Sequence, residues 1–123
     1  MSIQIKNPKV KKYDLSERTA KFGEEIIKFA SSLPETPVTR PLISQVIASG
    51  TSIGANYMEA DGAESGKDFY HKIGICKKES KETMHWLRMI ATANPAKKDK
   101  CRQLWQETHE FTLIFSSIVK KKK

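Results

Sequence analysis

The stretch Leu15-Ser16-Glu17-Arg18-Thr19-Ala20-Lys21-Phe22-Gly23-Glu24-Glu25-Ile26-Ile27-Lys28-Phe29-Ala30-Ser31-Ser32-Leu33 decides the fold class. Leu15, Thr19, Phe22, Ile26, Phe29 and Leu33 recur at spacings of 4-3-4-3-4. A helix turning every 3.6 residues places that series on one stripe, whereas a strand of period two scatters it over both faces. Asp14 stands where a side chain can cap the first turn, with Glu17 three residues on as in a capping box. Pro34 ends the helix, and Pro37 keeps the linker extended.

The same period continues downstream. A second helix is expected from an N-cap at Thr39, with Pro41 tolerated in the first turn, to Asp61, where Gly62 stops it. Its apolar and small residues, Leu42, Ile43, Val46, Ile47, Gly50, Ile53, Gly54, Tyr57 and Met58, span a wide arc, the pattern of a helix buried on more than one side. A third helix runs from Ser65 to Ala93 on a seam of Phe69, Ile73, Cys76, Ser80, Thr83, Leu87 and Ile90, and Asn94-Pro95 turns the chain. A fourth reaches Val119 with Cys101, Leu104, Thr108, Phe111, Phe115 and Ile118 on its seam. All four exceed the usual mean helix length of about 11–12 residues, and their short connections make sequential neighbours antiparallel. The expected fold is all-α, an up-down-up-down antiparallel four-helix bundle formed by residues 14–119.

The chain has 123 residues, which predicts one core and one domain. Apolar residues make up 38% and charged residues 29%, and no apolar run reaches bilayer-spanning length, so no membrane partner is expected. The start, Met1-Ser2-Ile3-Gln4-Ile5-Lys6, lacks an apolar stretch of signal-peptide length, which points to the cytoplasm. Cys76 and Cys101 have neither metal spacing nor a disulfide pattern. On helices paired about Pro95 their heights differ by roughly 20 Å, beyond disulfide reach, so they read as buried thiols.

The net charge of +8 is concentrated at the ends. Residues 1–13 carry Lys6, Lys9, Lys11 and Lys12 with no acid, and residues 120–123 are Lys120, Lys121, Lys122 and Lys123. The body between them holds fourteen basic and fourteen acidic residues and is neutral. The chain is therefore a balanced bundle with two basic tails, which serve either as polyanion contacts or as solubilising ends. Up-down-up-down order brings both tails to one end, beside the acidic Glu59, Asp61, Glu64 and Asp68. The opposite end gathers Arg40, Arg88, Lys97, Lys98, Lys100 and Arg102. Lysines at a helix N-terminus oppose the helix dipole, so this turn is either a phosphate-contacting surface or a solvated basic turn. Candidate nucleic-acid contacts are accordingly Lys9, Lys11, Lys12, Lys97, Lys98, Lys100, Arg102, Lys120 and Lys121. Trp86, Leu113, Ile114 and Ile27 lie off the seams and are candidate interface residues for a homo-oligomer.

The segment Thr51-Ser52-Ile53-Gly54-Ala55-Asn56-Tyr57-Met58-Glu59-Ala60, followed by Ser65, Asp68-Phe69, Lys78-Glu79-Ser80-Lys81-Glu82-Thr83 and Trp86-Leu87, resembles the bacterial four helix bundle protein family. That family includes proteins encoded in intervening sequences of large-subunit ribosomal RNA genes, and the chain is also similar to the accessory variability protein of diversity-generating retroelements. The resemblance implies a homopentamer and a part in binding RNA or DNA, or a nucleic-acid enzyme. It supplies no catalytic residue. Tyr57-Met58 stands where many relatives carry small aliphatic residues, and Gly62-Ala63 where Gly-Arg is common.

Other clusters read as structural. Gly50 and Gly54 let a neighbouring helix approach closely, with Gly74 as a possible counterpart. Ser52, Asn56 and Glu59, with Glu79 and Glu82, either fix helix register or gather carboxylates for metal or proton chemistry. Glu82-x-x-His85 has the spacing of ferritin-like di-metal bundles, but the matching Gln106-x-x-His109 lacks the acid, and His85 lies opposite its seam. His71 has no partner at ligand spacing. No catalytic residue, metal or cofactor is expected. Two functions stay open: a non-catalytic nucleic-acid-associated binding module, and a protein–protein scaffold.

Overall fold

The computed structural model describes residues 14–122. Helix α1 spans Leu15–Ser31, α2 Thr39–Asp61, α3 Gly66–Ala93 and α4 Lys98–Lys120, with a 3-10 turn at Pro95–Lys97. No strand occurs among the described residues.

Each helix end has a local cause. The Asp14 carboxylate accepts a 3.3 Å hydrogen bond from the Glu17 amide. Helix α1 stops at Ser31, before Pro34, because the Ser32 amide and hydroxyl both turn back to the Phe29 carbonyl, at 3.0 and 2.7 Å. The expected cap of α2 is corrected. Thr39 is already helical, and the Thr36 hydroxyl accepts from the amides of Val38 and Thr39 at 3.2 and 3.1 Å. The Thr39 hydroxyl donates to the Pro34 carbonyl at 2.7 Å, tying the linker to the helix start. Gly62 ends α2 at φ −96°, so the stop does not draw on glycine's left-handed freedom. Ser65 caps α3, accepting from the Asp68 amide at 3.0 Å, and Asn94 closes it on the Ile90 carbonyl at 2.8 Å. Pro95 has no amide hydrogen to continue the ladder.

Consecutive helices run antiparallel. Ser49 meets Thr83 and Glu59 meets Lys72 across α2 and α3, so advancing along one helix retreats along the other. Gly50 and Gly54 of α2 face Ile26 and Thr19 of α1 in the same sense. Helix α2 is thus covered by α1 on one side and α3 on the other, which accounts for its wide apolar arc except at Met58, which is exposed. The glycine approach is to α1: a Cβ on Gly50 would lie 2.9 Å from Ile26 Cγ1, and one on Gly54 3.3 Å from the Thr19 carbonyl oxygen. Gly74 is not the counterpart, since a Cβ there would meet nothing within 4 Å.

The α1–α4 seam is wider and is closed by long side chains. Phe22 and Phe111 meet edge to face with centroids 5.4 Å apart. Arg18 forks onto Glu107 with two 2.8 Å hydrogen bonds, reaches Glu110 at 2.7 Å and lies over the Phe111 ring. The hydrogen bonds to Glu107 raise its pKa further, against the opposing pull of burial, so the guanidinium stays charged.

The core holds Phe22, Ile26, Val46, Ile53, Ile73, Leu87, Ile90, Phe111 and Phe115 on the expected stripes. Phe69 and Ile118, also placed on seams, are half-buried. Hydroxyls interrupt the core, and each is satisfied. Thr19, Ser80 and Thr108 donate to carbonyls one turn back at 2.6, 2.8 and 2.7 Å, and Thr83 is 2.9 Å from Ser49 Oγ. Among the described residues no helix is long and apolar enough to cross a membrane.

Candidate nucleic-acid interface

The end of α3 and the start of α4 build one groove. Leu87, Arg88 and Ala91 face Lys98, Cys101, Arg102, Trp105 and Gln106 across it. The α4 residues recur at helical spacing, so one stripe of that helix forms a whole wall. Its floor is apolar: Leu87 is fully buried, Cys101 is nearly so, and Ala91 and Trp105 are half-buried. Its rim is Arg88, Lys98, Arg102 and Gln106, all exposed. The space is about 320 Å³. The Trp105 indole stacks on the His109 imidazole one turn away, with centroids 5.2 Å apart and ring planes 16° apart.

The structure divides the basic residues gathered at this end. Arg40 pairs with Glu35 at 3.5 Å, and Lys100 with Glu25 at 3.5 Å, so both are partly compensated. No ion pair among the described residues engages Arg88, Lys97, Lys98 or Arg102. Asp99 is the one acid in the first turn of α4. Lys120 and Lys121 end the same helix, at least 22 residues and roughly 33 Å from Lys98, and are not part of this surface. Lys9, Lys11 and Lys12 lie outside the described residues. Sequence reasoning did not single out Trp105. Its signal was its placement one turn from both Cys101 and His109, beside Arg102.

The candidate interface residues fall into two kinds. Ile27 is 48% exposed and Leu113 56%. Trp86 and Ile114 are half-buried and pack against the core. Met58, at 61% exposure, joins Ile27 in a shallow apolar groove between α1 and α2.

The polar clusters are mostly committed locally. The Ser52 hydroxyl donates to the Ala48 carbonyl at 2.6 Å, Asn56 Nδ2 to the Ser52 carbonyl at 2.9 Å, and Glu59 pairs with Lys72 at 2.7 Å. Burial, then the neighbouring Glu82, pushes the Glu79 carboxyl above its ordinary range. Glu82 and His85 are exposed, and His85 meets Trp86 edge to face. Among the described residues no three His, Cys, Asp or Glu side chains converge as metal ligands.

The chain is similar to a protein of unknown function from the S23 ribosomal protein family of Bacteroides thetaiotaomicron, whose crystal structure superposes with a TM-score of 0.77 at 27% identity, covering 87% of this chain and 99% of that one. No curated protein matches the sequence. Residues 11–117 match the 23S rRNA-intervening sequence protein family, so this four-helix bundle belongs to that family.

Proposed function

We propose that the protein is a non-catalytic, self-associating cytoplasmic module that binds RNA or DNA through the α3–α4 turn, as an accessory to a nucleic-acid partner or enzyme. One observation carries this reading: Arg88, Lys97, Lys98 and Arg102 gather at that turn without a carboxylate partner among the described residues, while Arg40 and Lys100 near it are paired. Three lysines within a turn of the α4 N-terminus oppose the helix dipole at a few tenths of a kcal/mol each, a cost that a bound phosphate offsets. A second reading, a protein–protein scaffold, draws on the exposed Ile27, Val38, Met58 and Leu113.

Salt dependence separates the two. Binding of a labelled oligonucleotide should weaken with rising salt. Replacing Arg88, Lys97, Lys98 and Arg102 by Ala should lower the log–log slope by roughly 1 per phosphate-contacting cation. Removing residues 1–12 and 120–123 should change it less. The opposite ranking moves the contact to the tails, and no binding at about 50 mM salt leaves the scaffold.

A further inference from the structure

We propose, resting on the reading of the α3–α4 turn as a strand-binding surface, that the groove beside it is a single-base pocket. One unpaired nucleobase lies against Trp105 while Arg88, Lys98 and Arg102 hold the flanking phosphates, so the protein selects single strands over duplexes.

Three features converge on that ligand. The floor of Leu87, Ala91 and Cys101 with the Trp105 ring is apolar and suits the face of a heterocycle. The indole stacks on the His109 imidazole one turn along α4, so an imidazole lies against one of its faces. The rim supplies cations and no acid: among the described residues no Asp or Glu lines this groove. Neighbouring grooves differ. The α1–α4 groove carries Glu25, Glu107 and Glu110, the α2–α3 groove Glu82, and the α1–α2 groove Glu24. Charge complementarity therefore directs an anion with an apolar ring to the α3–α4 groove. The Gln106 amide on the rim can donate to and accept from a base edge.

A duplex hides its ring faces inside the stack and can offer this groove only phosphates. A single strand can turn one base into the pocket while its neighbours remain outside. A surface of cations alone does not make that distinction.

The test compares a fluorescein-labelled decauridylate with a labelled blunt-ended RNA duplex, which has no unpaired loop, and repeats it with the DNA equivalents. The intact protein should bind the single strand more tightly. Trp105→Leu keeps apolar bulk without the π face. It should weaken single-strand binding about tenfold or more and leave duplex binding within about twofold, and Trp105→Phe should recover most of the loss. In a Trp86→Phe background Trp105 is the sole indole, and its emission should be quenched by the unlabelled decauridylate and not by the unlabelled duplex. That measurement needs no destabilising change at the pocket, so it decides the matter even if Trp105→Leu unfolds. Equal affinities for strand and duplex that still fall when Arg88 and Arg102 become Ala overturn the pocket alone. No binding of either nucleic acid overturns the surface beneath it as well. A Trp105→Leu protein of lower oligomeric mass shows instead that a second copy covers the groove, and overturns the proposal.

Discussion

Cys76 and Cys101 sit on the inner stripes of α3 and α4, where thiols pack as small apolar groups. Burial pushes the Cys76 thiol up to about 12 and the Cys101 thiol up to about 11. Cys76 Sγ also donates to the Ile53 carbonyl at 3.6 Å, a contact its protonated form keeps. Only the thiolate attacks electrophiles, so both residues should be inert in the native protein. A disulfide reagent at pH 8 should titrate no thiol in the folded chain and two in guanidinium, and prompt native labelling would contradict this burial. In the unfolded chain each thiol ionises near 9.0, below its folded value. Above about pH 9 the unfolded state therefore holds fewer protons than the native state, and stability falls as pH rises toward 11–12. The slope approaches about 1.4 kcal/mol per pH unit for each thiol. Cys76→Ala lowers stability overall by leaving a cavity, but it should flatten this alkaline slope.

Helix α2 shows at the level of an element what periodicity can and cannot specify. Its arc of apolar and small residues was legible as burial on two sides, but the partner of its glycines was not, because spacing along a chain carries no information about which neighbour comes close. The structure seats Gly50 on Ile26, a fully buried side chain branched at the contact. Gly50→Ala should destabilise the bundle by about 1–3 kcal/mol, since the intruding methyl meets Ile26 near its Cβ and the helices must part. Gly74→Ala meets open space and should stabilise by up to about 1 kcal/mol through helix propensity. Denaturant melts of the two variants check the pair, and equal shifts would mean that α1 and α2 do not approach at Gly50. The same limit hid the Arg18 fork on Glu107 and Glu110, which joins residues 89 and 92 positions apart. The cap at Asp14 and the start of α3 near Ser65 were legible because both signals are local, although Ser65 proves to be the cap and not the first helical residue. The cap at α2 was misread because Thr36 and Thr39 are both competent, and only the fold of the linker commits Thr39 to Pro34.

At the scale of the whole molecule, the proposed self-association would draw on the exposed Ile27 and Met58 on one side and on the exposed Leu113 on another. Ile27 and Met58 lie on the α1–α2 face. Arg102, Gln106, His109 and Leu113 recur at helical spacing on α4, which puts Leu113 on the stripe leaving the α3–α4 groove, about 12 Å beyond Trp105. In an up-down-up-down bundle the α1–α2 and α3–α4 faces are opposite sides. Unlike exposed residues on opposite sides would fit head-to-tail contacts, which form rings where the rotation closes and filaments where it does not, rather than a two-fold dimer that pairs one surface with itself. Light scattering should therefore give the intact protein a mass that is a multiple of 14.0 kDa. Ile27→Glu and Leu113→Glu should each lower that mass without loss of helicity, because both side chains are about half exposed in the protomer. Trp86 and Ile114 are poorer probes, since they pack on the core and their truncation would unfold as well as dissociate. Mixing the two charged variants gives the sharper result. In a head-to-tail assembly the intact Leu113 patch of one variant still meets the intact Ile27 patch of the other, so the mixture should form a two-chain particle that neither variant forms alone. A mixture that stays at 14.0 kDa would rule out pairing of these two patches, and an intact protein of 14.0 kDa would rule out self-association.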